Sequence, residues 1–218
     1  MKISGYPGIL LLVLLLVCGR PAFAVETIDW QGLVPPIDEA LDPYTRLSDD
    51  EQGSLYDLWM VRESRKAGIV DDELKDMEQA AAKNLAAGGF DADKILGELD
   101  DFIAIMEENN TKLVDSLDGK DVRIPGYVLP TEFSGNQVVE FLLVPYVGAC
   151  VHTPAPPPNQ MVLVKVDEGF ETEGLFAPVW VTGRINTGIS TQSVYIVDGS
   201  LDVEAGYRIQ ASDVAPYE

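Results

Sequence analysis

Near Gly119 the sequence changes character, and that switch constrains the fold more than any other feature. Before it, apolar residues recur at helical spacing between acidic residues. After it, Val, Ile, Tyr and Thr dominate, and the helical period is gone. A chain ordered as helices first and strands afterwards is expected to be α+β. Its helices gather at one end and do not alternate with the strands.

The helical part shows its boundaries in the sequence. Ser48-Asp49-Asp50-Glu51 reads as a capping box, with Leu55, Leu58, Trp59 and Val61 as the inner positions of a helix that runs to about Lys66. A second helix is expected from Asp71. Its stripe is Leu74, Met77, Ala81 and Leu85, and it stops at Gly88-Gly89. A third starts at Asp91 or Asp93, carries Ile95, Leu99, Phe102, Ile103 and Met106, and ends at Asn109-Asn110. Residues 25–47 read as irregular, because Pro35 and Pro36 oppose a helix. Trp30 and Leu33 are expected to pin this segment to the body of the protein.

From Gly119 onward, strands are expected at about 121–129, 138–147, 160–167, 178–186, 193–197 and 203–211. Ser134-Gly135-Asn136 forms the first turn. The expected architecture is N-terminal acidic helices packed beside a small C-terminal antiparallel β-barrel, OB-like, of five to six strands. A small sandwich is the alternative. The organisation is then residues 1–24 as a signal peptide, 25–118 as an extended segment plus helices, and 119–218 as the barrel.

Three parts define the signal peptide: the positive Lys2, the apolar run Ile9–Val17, and the small-x-small site Ala22-Phe23-Ala24. The run is too short to span a bilayer comfortably, which takes about 20 residues. Cys18 follows Val17 rather than a small residue, which argues against a lipoprotein anchor. Cleavage after Ala24 and a periplasmic location are expected, with no membrane span afterwards.

Charge excludes one class of function. The chain has 15 Lys+Arg against 36 Asp+Glu, a net −21. The first 24 residues hold Lys2, Arg20 and no acid, so the remainder is −23: −16 over residues 25–118 and −7 over 119–218. A surface of that sign repels phosphate backbones and anionic lipid. Nucleic acid is not an expected partner, even for an OB-like barrel.

Motifs for phosphate loops, dinucleotide turns, nucleophile elbows and zinc-protease helices are all missing. Attention falls on Cys150-Val151-His152, which holds the lone histidine and the lone cysteine left after signal cleavage. On a strand these two side chains would share a face. Three readings stay open. Cys150 is a packed small hydrophobe and His152 bonds loop backbone. The pair ligates zinc or copper, with Met161, Glu132 or Glu140 completing the set. Or Cys150 is a nucleophile with His152 as its base. Downstream, Pro154-Ala155-Pro156-Pro157-Pro158 is a stiff extended loop. It serves as a lid received by Tyr146, Met161 and Trp180, or as a docking segment. Asn159 and Gln160 satisfy loop backbone or face a ligand. Asn159, Gln160, Tyr146 and Trp180 are therefore the candidate ligand- or partner-binding residues, and Cys150 and His152 the candidate metal ligands. No catalytic residue is assigned.

The strings IPGYVLP, EFLLVPYVGACVHTP, PPPNQMV and PVWVTG resemble an uncharacterised family of exported bacterial proteins, known chiefly as a domain of unknown function. The resemblance covers roughly the last half of the chain. Ala155 interrupts the proline run expected there. The resemblance implies an exported, single-domain protein. Members often look like accessories to transport systems of the cell envelope, which implies an envelope transporter or another periplasmic protein as partner. It carries no catalytic residues. The function expected is that of a non-catalytic periplasmic accessory or binding protein. Zinc or copper handling and a thiol-dependent enzyme are the alternatives.

Overall fold

A computed structural model describes residues 24–150, 154–172, 174–196 and 199–217. The signal segment before Ala24 and His152 lie outside the described residues. Three helices precede most of the strands: α1 (Asp49–Lys66), α2 (Asp72–Ala87) and α3 (Ala92–Asn109). Six strands form one mixed sheet: β1 (Glu26–Thr27), β2 (Asp121–Ser134), β3 (Gln137–Val144), β4 (Val162–Phe170), β5 (Pro178–Ile196) and β6 (Gly199–Pro216).

Helix starts follow their caps. At Ser48 the backbone N–H and Oγ both donate to Glu51 Oε2, at 2.8 and 2.7 Å. Asp71 accepts from Leu74 N at 2.8 Å, and Asp91 from Lys94 N at 2.9 Å. The two aspartate bonds each satisfy a first-turn amide that the helix itself leaves unpaired, and Glu51 satisfies the cap residue's own amide. The inner faces meet in a cluster of their own: Leu47, Leu55, Leu58, Ala81, Leu85, Ile95 and Leu99. Arginines bolt the outer rims together. Arg62 grips Asp100 of α3 with two bonds of 2.6 Å, Arg65 grips Glu78 of α2, and Arg46 pairs with Glu98. Met106, at the end of the expected α3 stripe, is exposed.

The sheet runs β1-β2-β3-β4-β6-β5, and β2 also pairs with β5. Each of β2 to β6 therefore has a partner on both sides over part of its length, while the distal halves of β5 and β6 pair only with each other. An all-antiparallel sheet is not what forms. The β1–β2 pair is parallel, and so is β4–β6, the latter because β5 lies against β2 and β6 returns between β5 and β4. The expected strands at 178–186 and 193–197 are one continuous β5. The last strand begins at Gly199 and continues to Pro216. The first turn has two residues, Gly135 and Asn136, between the paired Ser134 and Gln137. Gly135 holds a φ of +62°, as such hairpins require.

Strand β3 is buried on both faces. Phe141 and Leu143 join Val122, Ile124, Val164, Val181 and Ile209 in the main core. Leu142 and Val144 turn to a second cluster with Leu163, Met161, Val194, Val203 and Ala205. The distal halves of β5 and β6 supply the last three of these. This explains the uninterrupted run Phe141-Leu142-Leu143-Val144: a strand covered on both sides loses the alternation of a half-wet one.

Polar contacts fix the segments that flank the helices. Tyr207 Oη, fully buried, donates to Leu33 O at 2.6 Å and accepts from Val114 N at 2.7 Å. Asn109 Nδ2 donates to Pro35 O at 2.9 Å.

Candidate functional site

At one end of β2 and β5 an open cleft of about 200 Å³ is lined by three aromatic rings, Trp30, Tyr127 and Tyr217, and three prolines, Pro125, Pro145 and Pro178. Local rules place each one. In β2 the side chains of Pro125 and Tyr127 emerge on the same face, opposite Ile124 and Val128 in the core. Across the ladder they stand opposite Trp180 and Pro178. The floor is Gly126. A Cβ there would come within 2.9 Å of Trp30 Cζ2 and 2.7 Å of Leu143 Cγ. Only glycine lets the indole lie this close to the strand.

Trp30 is fixed at both ends. Its Nε1–H donates to Pro125 O at 2.8 Å, and its carbonyl accepts from Gln160 Nε2 at 2.8 Å. Tyr217 is 48% exposed, and its backbone N–H donates to Pro178 O at 3.0 Å. The ring of Tyr217 packs on Trp180 at 5.2 Å between centroids, and Arg123 lies over the other ring at 4.3 Å. Pro178 and Tyr217 also line a second cavity of about 380 Å³ with Phe170, Glu171 and Val214. The two cavities lie side by side at this end of the sheet, and together they are called the groove. The lining of the first cleft holds no carboxylate, amine, imidazole or thiol. Its chemistry is that of apolar contact and stacking.

The candidates read from sequence fall in three places. Trp180 reaches the groove through Tyr217, and Tyr146, 43% exposed, follows the lining residue Pro145. Asn159 and Gln160 are anchors. Asn159 is buried, and its Nδ2 donates to Asn109 O at 2.8 Å and Lys112 O at 3.3 Å. With the bond from Gln160 to Trp30, they tie the proline loop to the end of α3 and to the N-terminal segment. The loop crosses β6 at Gly206, where a Cβ would meet Pro158 O at 2.7 Å. Trp180 packs with Arg123 and Tyr217 beside the groove.

Cys150 is 3% exposed and packs in the second sheet cluster with Met161 and Leu142. Burial pushes its thiol up to about 11, so it stays protonated at neutral pH. Its partner in the expected pair, His152, is outside the described residues. Glu140 is engaged with Lys165 at 2.9 Å and with Thr131. Among the described residues no three His, Cys, Asp or Glu side chains gather as a metal site would need.

Sequence reading singled out Trp30 only as a pin, and passed over Pro125, Gly126, Tyr127, Pro178 and Tyr217. The available signal was Pro125-Gly126 inside a strand. Proline removes a ladder donor and glycine weakens a strand, so the pair marks a place where something approaches closely.

These features define an α+β protein with a helical cap, a mixed sheet and an aromatic groove at one end of the sheet. The profile of the family described as "Protein of unknown function (DUF3299)" matches residues 30–216, and the chain belongs to that family. A solved structure of a DUF3299 family protein from Pseudomonas aeruginosa PAO1 is similar at 26% identity, over 89% of this chain and 97% of that one, with a TM-score of 0.46. None of the curated proteins is significantly similar to the chain.

Proposed function

We propose that this chain is an exported accessory protein that binds a partner of the cell envelope through the Trp30–Tyr127–Tyr217 groove. The observation that carries this reading is the groove itself. It brings aromatic rings and prolines together, and the side chains lining its first cleft include no carboxylate, amine, imidazole or thiol. Exposed aromatic clusters of this kind are where binding energy concentrates in protein interfaces. Export rests on the signal pattern Lys2, Ile9–Val17 and Ala22-Phe23-Ala24, with cleavage after Ala24 and a periplasmic destination.

The sheet is read as an OB-type barrel. What supports this is the ring of pairings that returns from β5 to β2, with β4 and β6 parallel within it. Such a barrel is a scaffold here, and its charge is the wrong sign for a phosphate backbone. Lys120, Lys165 and Arg184 are held by Glu26, Glu140 and Asp121, and Arg123 by Trp180.

The test compares the immobilised protein with Tyr217→Ala in detergent-solubilised envelopes of the source cells. A protein retained by the first and released by the second is expected. Retention that ignores Tyr217, or no retention at all, contradicts the reading.

A further inference from the structure

We infer that the groove takes an extended, proline-containing segment of a partner protein whose flanks carry Lys or Arg; this deepens the binding role proposed above and rests on it.

Four observations lead there. First, strand addition has little to work with. At the groove itself Val179–Thr182 of β5 is paired with both β2 and β6, and β1 is only two residues long. A peptide must therefore dock by side chains, and the polyproline II helix does so without needing a sheet edge. Second, the two cavities are adjacent, with Pro178 and Tyr217 lining both. A polyproline helix rises 3.1 Å per residue with three residues per turn, so its side chains return to one edge about every 9 Å. Successive turns of one segment can then occupy successive cavities. Third, the first cleft, at about 200 Å³, is smaller than the ~300–1,000 Å³ usual for a small-molecule site. Aromatic walls with room for a ring or two suit proline. A sugar would leave its hydroxyls without partners there, because the lining supplies none beyond the two phenols.

Fourth, charge selects the flanks. Residues 119–218, which hold most of the groove, are −7. Glu171 lines the second cavity, and exposed Asp29 directly precedes Trp30. Arg123, beside the groove, is engaged with the Trp180 ring. Basic residues on either side of the proline core are attracted and acidic ones repelled.

Fluorescence anisotropy tests this with a labelled peptide of nine prolines flanked by two arginines at each end. Two control peptides replace the prolines by Gly/Ser or the arginines by glutamates. The protein is purified from exporting cells. The proline–arginine peptide is expected to bind at least tenfold tighter than either control. Tyr217→Ala should weaken it at least fivefold, and Ile189→Ala, on an exposed site elsewhere on β5, should not. Equal binding of the Gly/Ser control, no binding of the proline peptide, or indifference to Tyr217 overturns the inference. So does Tyr217-dependent binding of maltohexaose in its place. If the peptide fails while a Tyr217-dependent envelope partner is retained, the ligand class is wrong and the binding role stands.

Discussion

Tyr207 carries more of the architecture than its single hydroxyl suggests. Its buried Oη joins Leu33, before the helices, to Val114, after them, and both contacts land on backbone. Tyr207→Phe keeps the ring and strands a carbonyl and an amide. A loss of about 1–3 kcal/mol in urea unfolding is expected. Cys150 makes a contrasting prediction. A thiol reagent at pH 7 should leave it untouched in the native protein and modify it at once in denaturant. Its pH linkage has a definite sign. The unfolded thiol ionises near 9 and the folded one near 11, so between these values the native state holds more protons. Stability is full below pH 9 and declines above it. Burial raises Tyr207 as well, which adds to the same alkaline loss. Unfolding midpoints from pH 7 to 10.5 should fall less steeply in Cys150→Ala than in the parent.

Among the elements, the helices were legible and the sheet only in outline. Capping residues and a 3.6-residue period are local signals, and Ser48, Asp71, Asp91 and Gly88 stand where those signals put them. Asp91→Ala removes the acceptor for Lys94 N and should cost about 1 kcal/mol, with Asp91→Asn recovering most of it. The sheet depends on non-local pairing. The parallel β4–β6 pair follows from where β5 docks, which no window of sequence contains. The expected break in β5, at 187–192, contains Gly188, while Gly183 lies within the first of the two expected strands. In the structure they sit at irregularities in its pairing with β6, between Thr182 and Gly183 and between Thr187 and Ser190. A Cβ at Gly183 would lie 2.3 Å from Gln210 O, a backbone atom that cannot swing aside. Gly183→Ala should lower stability by at least about 1–3 kcal/mol. The groove was partly hidden for the same reason. Trp30 and Tyr217 lie near opposite ends of the chain, and only the register of β2 with β5 brings their neighbours together.

At the scale of the whole molecule, charge and binding surface are divided. Most of the −23 belongs to the helical part, where three arginines bridge between elements against a large acidic excess. Self-repulsion of that size is screened by salt. The melting temperature should rise between 10 and 200 mM NaCl even though the individual ion pairs weaken. The groove stands apart from that charge on the sheet, built from apolar rings held by Gly126, Gln160 and the Trp30–Pro125 bond. Site-specific photo-crosslinking in living cells tests its role most directly, with benzoylphenylalanine placed in turn at Tyr217 and at the exposed Ile189. A discrete envelope adduct from position 217 and none from 189 is the predicted result. The same adducts from both positions, or an adduct from 189 alone, would contradict it.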